Sequence, residues 1–321
     1  MRILYVTNMY PCDTNPNYGI FVKEQIDAIE RIQFIEKRIY VVSGQKGFFQ
    51  YVRSIFEVRR IIKKGHFDLI HIHYGLSGLF LLFGRMKVPV LLTLHGGDIL
   101  SEQGKIVQVA LTKRILRKCD YAITLNERMD KVAKNYILNT TIIPCSVNIQ
   151  LFQRKKEKQI DSNEIKILFP SSRTRVVKDY PLFSRVCEVL REKYEFNIKE
   201  YVIENLSRQE VANLYNNVDI LLMTSISEGS PQVVKEAMAC DLPVVSTDVG
   251  DVRELLRGVR KSYVADSRDE NILASLVCRS LKENEEGISP REQILKLKLD
   301  DDSIALKIVT LYKDIVNDRR S

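Results

Sequence analysis

The stretch ILLMTSISEGSPQVVKEAMACDLPVVSTDVG, residues 220–250, decides the fold. It opens on an apolar run, Ile220–Met223, and closes on another, Val244–Ser246. Between them Pro231–Cys240 has helical spacing. Short, continuous apolar strands joined by a helix predict a parallel sheet covered on both faces. Ser230 suits a helix N-cap and Pro231 the first helical position. A helix starting there aims free N–H groups and a positive dipole end beyond the strand, a setting that suits a diphosphate. Gly229 allows the backbone to come close to a ligand.

The same alternation runs outward in both directions. Toward the N-terminus the strand candidates are Ile3–Thr7, Arg38–Val42, Leu69–His73, Val90–Leu94, Tyr121–Thr124 and Thr141–Ile143. Helical periods Phe21–Arg31, Phe49–Lys64 and Val107–Lys118 separate them. The second half repeats the pattern with strands Lys166–Phe169, Ile198–Ile203, Ile220–Met223, Val244–Ser246 and Ser262–Val264. Its helices are Tyr180–Lys193, Arg208–Asn216, Pro231–Cys240 and Val252–Leu256, and Ser207 with Glu210 fits a capping box. The chain has 321 residues, enough for two domains of about 150 each. The expected division is a domain over 1–152, a polar linker Gln153–Asn163, a domain over 164–302, and a helix in 303–321 that has the option of packing back on the first domain.

Composition narrows the class. Hydrophobic residues make up 45% and charged residues 28%, which supports a substantial core and excludes global disorder. The net charge of +8 favours an anionic ligand or surface without naming one. Six scattered cysteines with no C-x-x-C pair read as reduced thiols of a cytoplasmic protein. No signal-peptide pattern precedes Ile3, and the most apolar window, Leu76–Phe83, is too short to span a bilayer.

Glu228 lies in the loop after the strand and Glu236 eight residues on, upon the helix. Carboxylates are strong acceptors for sugar and ribose hydroxyls. The spacing alone is uninformative, since Glu192 and Glu200 share it; those two read as a solvated face. Context separates the pairs, because only Glu228 follows a buried strand and opens a capped helix.

This segment resembles the nucleotide-binding region of the family 4 retaining glycosyltransferases. The E-x7-E spacing, Glu236-Ala-Met-Ala239, Pro243-Val-Val-Ser246 and Gly250 with Glu254 carry the resemblance. Four further segments extend it in order: Tyr10-Pro11 through Gly19-Ile-Phe-Val22, Phe67–His73, Leu92–Asp98, and Ile143-Pro144 through Val147-Asn148 to Leu151-Phe152. The resemblance implies the GT-B fold, an α/β architecture of two Rossmann-like doubly wound parallel-sheet domains facing across a cleft. The first would bind the acceptor and the second the nucleotide sugar.

It also implies roles. Glu228 would contact the transferred sugar and Glu236 the ribose. The backbone at Gly229, Ser230, Pro231, Gln232 and Val233 would take the donor's phosphates. Lys178 would neutralise the leaving diphosphate together with either Arg173 or Arg175, a choice the spacing leaves open. His95, set in His-Gly-Gly-Asp98 after a strand, would reach the donor sugar near the reacting carbon. His73 would lie nearby and His71 in the packing. Gly19 would allow close approach to the diphosphate. The expected catalytic residues are thus Glu228, His95 and Lys178. The transfer would retain anomeric configuration, with the departing phosphate taking the acceptor's proton, and would need neither metal nor cofactor.

The expected partners are a UDP- or GDP-type sugar donor and a glycan or lipid-linked glycan acceptor in polysaccharide biosynthesis, with no nucleic acid. Residues 46–64 form a basic amphipathic stretch. It reads either as a contact for an anionic membrane face or as a domain helix with its stripe packed inward. Alternatives to transfer are a non-catalytic nucleotide-sugar-binding or partner-supporting GT-B protein and a nucleotide-sugar epimerase.

Overall fold

The computed structural model describes residues 1–319 apart from 14, 16, 45, 46, 85, 101–104, 156–163 and 283–285. The expected linker Gln153–Asn163 therefore lies mostly outside the described residues, as does Lys46 of the basic stretch. Two compact units are present, Met1–Cys145 with Asp301–Ser321, and Ser146–Asp300.

The first unit is built on β1 (Arg2–Thr7), α1 (Ile20–Ile32), β2 (Glu36–Val41), α2 (Phe48–Lys64), β3 (Leu69–His73), a 3₁₀ helix (Gly75–Phe83), β4 (Val90–Thr93), α3 (Ile106–Leu116), β5 (Tyr121–Thr124), α4 (Glu127–Ala133) and β6 (Thr140–Ile142). Its six strands pair in parallel in the order β2-β1-β3-β4-β5-β6. Every residue of β3 and β4 is buried, because helices cover both faces. That is why these strands read as unbroken apolar runs.

The second unit follows with β7 (Ile165–Phe169), α5 (Tyr180–Tyr194), β8 (Ile198–Val202), α6 (Arg208–Asn217), β9 (Ile220–Met223), α7 (Gln232–Ala239), β10 (Val244–Thr247), α8 (Val252–Leu255), β11 (Tyr263–Ala265), α9 (Glu270–Lys282) and α10 (Pro290–Lys296). Its parallel sheet has the order β11-β10-β9-β7-β8. The Ser207–Glu210 capping box is formed at the start of α6.

The chain changes unit at Cys145, ahead of residue 152, for a local reason. Val147 N–H donates to Leu299 C=O at 2.9 Å, and Arg291 binds the carbonyls of Ile149 and Phe152. These bonds tie 147–152 to the second unit. The last helix, α11 (Asp301–Asp318), returns to the first unit and packs on α1. Arg31 meets Asp302 at 3.0 Å there, and buried Tyr312 reaches Tyr5 and His71. Among the described residues no helix is long and apolar enough to cross a membrane.

Candidate active site

Ligands of open parallel sheets bind beyond the carboxyl ends of the strands, where the strand order reverses. In the second unit the reversal lies between β7 and β9, since β8 is laid to one side and β10 to the other. Lys178 follows β7 and Glu228 follows β9. The structure brings them together directly: Lys178 Nζ donates to Glu228 Oε1 at 2.5 Å. The same oxygen accepts from Ser225 Oγ at 2.8 Å. Both side chains are largely covered, at 7% and 15% exposure.

The backbone around the pair is fixed from several sides. Thr224 Oγ1 donates to the carbonyls of Lys178 and Asp179, and Ile226 N–H to that of Val177. Thr247 Oγ1 donates to Ser225 C=O at 2.7 Å. Arg268 donates to the carbonyls of Thr224 and Ser225 and pairs with Asp179. Arg268 was not anticipated, as it stands in a polar run without a motif.

Helix α7 begins one residue later than expected. Pro231 occupies the N-cap, and among the described residues no side chain caps the first turn. Ser230 is unavailable for capping because its Oγ donates to Asp251 Oδ2 at 2.5 Å and accepts from Lys235 Nζ. The N–H groups of an uncapped first turn have no intrahelical acceptor, so this end suits an anion. Gln232 and Val233 open the helix, half-buried, and Gln232 Oε1 has no partner among the described residues. Gly250, with φ 61°, packs against the preceding loop: an added Cβ would lie 2.6 Å from Gly229 O. Only glycine fits there on both counts.

Glu236 is neither beside Glu228 in the pairing nor an exposed helix carboxylate. It is buried, with Oε1 accepting from Arg208 at 2.6 Å and Oε2 from Tyr215 OH at 3.1 Å. Burial beside this carboxylate pushes the Tyr215 hydroxyl well above its ordinary pKa. Arg208 also lies over the Phe152 ring, 4.6 Å from its centroid. Arg173 and Arg175 are both exposed. Arg173 stacks over Tyr180 at 5.2 Å, whereas no side-chain partner of Arg175 is found among the described residues. Of the decoy pair, Glu192 is exposed, but Glu200 is half-buried and accepts from Arg191 and Tyr180.

In the first unit the strand order reverses between β1 and β3. His73 ends β3 and His95 follows β4, and their Nδ1 and Nε2 atoms are 3.3 Å apart. Tyr74 stacks on His95 with centroids 4.5 Å apart and holds φ 68°, a strained value for a non-glycine residue. Asp98 accepts from the backbone N–H groups of His95 and Gly75, which sets the loop. His71 is buried between Tyr312 OH at 2.6 Å and Thr93 Oγ1 at 2.7 Å. Burial lowers His73 to about 3 and holds His71 and His95 well below the usual imidazole range, so all three are neutral near pH 7. His73 Nε2 has no partner among the described residues. Gly19 has φ 69°, and a Cβ there would strike Met9 C at 2.3 Å. Contact with its own chain thus already requires glycine. Among the described residues no three His, Cys, Asp or Glu side chains gather as a metal ion requires, and none of the six cysteines is in a disulfide.

Comparison with known proteins accounts for both units. The model of glycosyltransferase family 4 matches residues 18–151, and that of glycosyl transferases group 1 matches 176–283. The chain is a glycosyltransferase of the family 4 type. A putative teichuronic acid biosynthesis glycosyltransferase, TuaC of Bacillus subtilis, is 23% identical over 87% of this chain and 89% of its own. Sucrose-phosphate synthase from Thermosynechococcus elongatus superposes with a TM-score of 0.78 at 18% identity, covering 98% of both chains. A structure described as trehalose-6-phosphate from E. coli bound with UDP-2-fluoro glucose gives 0.76 at 13% identity, over 98% of this chain and 99% of that one. The fold is GT-B.

Proposed function

We propose that the chain transfers a sugar, with retention, from a nucleotide-diphosphate donor to a hydroxyl of a glycan or lipid-linked glycan in polysaccharide assembly. The observation that carries this reading is the Lys178–Glu228 pair at the β7/β9 reversal, beside the uncapped start of α7. The lysine supplies positive charge for a diphosphate, and the carboxylate supplies an acceptor for sugar hydroxyls. The likeness to a teichuronic acid biosynthesis enzyme supports the polysaccharide setting. A neighbour of the same fold bound with UDP-2-fluoro glucose supports a nucleotide-sugar donor.

In this reading the diphosphate rests on the amides of Gln232 and Val233, with Lys178 and Arg173 or Arg175 offsetting its charge. Charge stabilisation of a leaving group by fixed donors is typically the largest catalytic contribution. Glu228 holds the sugar, and His95 serves as a neutral hydrogen-bonding group for a sugar hydroxyl. The leaving phosphate takes the acceptor's proton, so the reaction needs neither a metal nor paired acid and base carboxylates. Glu236 meets the ribose only after giving up a bond to Arg208 or Tyr215, or by using a remaining lone pair. Incubation with UDP- and GDP-sugars and a polyprenyl-linked glycan acceptor tests the reading. It requires release of UDP or GDP with an α-linked product from an α-linked donor; donor conversion without acceptor would establish an epimerase instead.

Helix α2 supports a membrane-facing role for this enzyme. Ile55 and Val58 are buried, while Phe49, Val52 and Phe56 point outward on the same face as exposed Arg53, Arg60 and Lys63. An aromatic patch beside cations suits an anionic lipid surface. Sedimentation with phosphatidylglycerol vesicles checks it: loss of binding in Phe49→Ser/Phe56→Ser supports the role, and no binding by the wild type removes it.

A further inference from the structure

Lys235 is wholly buried, at 0% exposure, one residue before Glu236. Its ammonium donates to Ser230 Oγ and lies 3.8 Å from Asp251 Oδ2. Ser230 Oγ donates to that same carboxylate oxygen at 2.5 Å. Asp251 is itself 7% exposed, and its Oδ1 has no partner among the described residues. A buried ion pair costs much desolvation, and well-packed apolar residues of similar volume are often the more stable choice. Stability alone is therefore a poor reason for this arrangement. What it does geometrically is specific. It fastens the loop after β9 to the loop after β10 at the point where Gly250 lies against Gly229 O. Glu228 and the first turn of α7 both hang from the fastened segment.

We infer that Lys235, with Ser230 and Asp251, is a clamp that positions Glu228 and the opening amides of α7. Lys235 is a positioning residue in this inference, with no contact to substrate; the consequence for turnover rests on the glycosyl-transfer reading. Three features converge on the clamp: the zero exposure of the ammonium, the shared carboxylate oxygen, and the glycine that lets the two loops touch. Misplacing a reacting group by about 1 Å costs about a hundredfold in rate without a matching loss of binding.

The test is hydrogen exchange on the full chain without nucleotide, using Lys235→Met/Asp251→Asn, which removes both charges together. Amides of 228–230, 232 and 250–252 should exchange about tenfold faster than in the wild type, with β9 and β10 unchanged. Ser230→Ala, which keeps both charges, should change the same amides in the same direction. Release of UDP from UDP-glucose, or GDP from GDP-mannose, should lose kcat about a hundredfold with donor KM within threefold. Unchanged exchange in both variants, or wild-type kcat in the double variant, overturns the clamp. A wild-type chain that consumes no donor would contradict glycosyl transfer instead, while the exchange measurement would still decide the clamp.

Discussion

Lys178 and Glu228 are fifty residues apart in the chain, yet Nζ and Oε1 are 2.5 Å apart at the reversal of the second sheet. Each arrives on a different loop, one after β7 and one after β9. The pair therefore exists because the strand order puts those two strands side by side.

Separating the partners should silence the enzyme without unfolding it. Lys178→Met and Glu228→Gln are each expected to lower kcat about a hundredfold, the typical effect of losing one donor to developing charge. The double variant should regain thermal stability relative to either single variant, because no unpaired charge remains, while turnover stays low. Steady-state kinetics beside thermal melts check both statements.

Arg208 and Glu236 should behave in the opposite way. Glu236 is 4% exposed, so Arg208→Met leaves a carboxylate buried and unpaired, at a cost of about 3 kcal/mol. Tyr215→Phe removes the single O–H donor shared between Glu236 Oε2 and Val233 C=O and should cost about 1 kcal/mol. Denaturant unfolding measures the order, and equal costs would show that the ion pair is not what holds Glu236.

How much of this was legible in sequence differs between fold and site. Among the described residues the strands lie within about two residues of the expected spans; β3, β4 and β9 read as unbroken apolar runs because both their faces are buried, whereas the edge strands β2, β6 and β8 carry exposed polar positions. Helices α4, α9 and α10 lie outside the expected ones, although their starts carry readable signals: Asn126 accepts from Met129 N–H, Asp269 from Ile272 N–H, and Ser289 with Pro290 opens α10. The proximity of Lys178 and Glu228 depends on strand order, which periodicity does not encode. The burial of Glu236 depends on Arg208 and Tyr215 of another helix. Ser230 looked like a cap because its residue type is right, but Lys235 and Asp251 compete for the hydroxyl.

Gly250→Ala should disturb the site from behind. The added Cβ meets Gly229 O at 2.6 Å, and φ 61° is strained for alanine. A cost of about 1–2 kcal/mol is expected, together with a fall in turnover as the Glu228 loop is displaced. A fully active Gly250→Ala protein would show that the loop position is not critical.

The buried imidazoles set an acid limit on the first unit. His71, His73 and His95 titrate well below 6.5 in the fold, so below that pH the unfolded chain takes up protons that the folded chain refuses. Stability then falls as pH drops, by about 1.4 kcal/mol per pH unit for each histidine. Asp98 has the opposite sign. Burial raises its carboxyl to about 6, so between about pH 4 and 6 the fold holds a proton the unfolded chain has lost. That offsets one histidine and leaves a net decline on acidification. Melting between pH 7 and 4 should show it, and His73→Gln should flatten the slope.

The proposed transfer requires that the start of α7, beside Lys178 and Glu228, receive the phosphates of a nucleotide sugar. A crystal structure of the chain with UDP or GDP bound measures this directly. The expected result places the diphosphate within hydrogen-bond distance of the Gln232 and Val233 amides and of Lys178 Nζ. A nucleotide bound away from that helix end, with the Lys178–Glu228 pair untouched, would show that the α7 start is not the phosphate site.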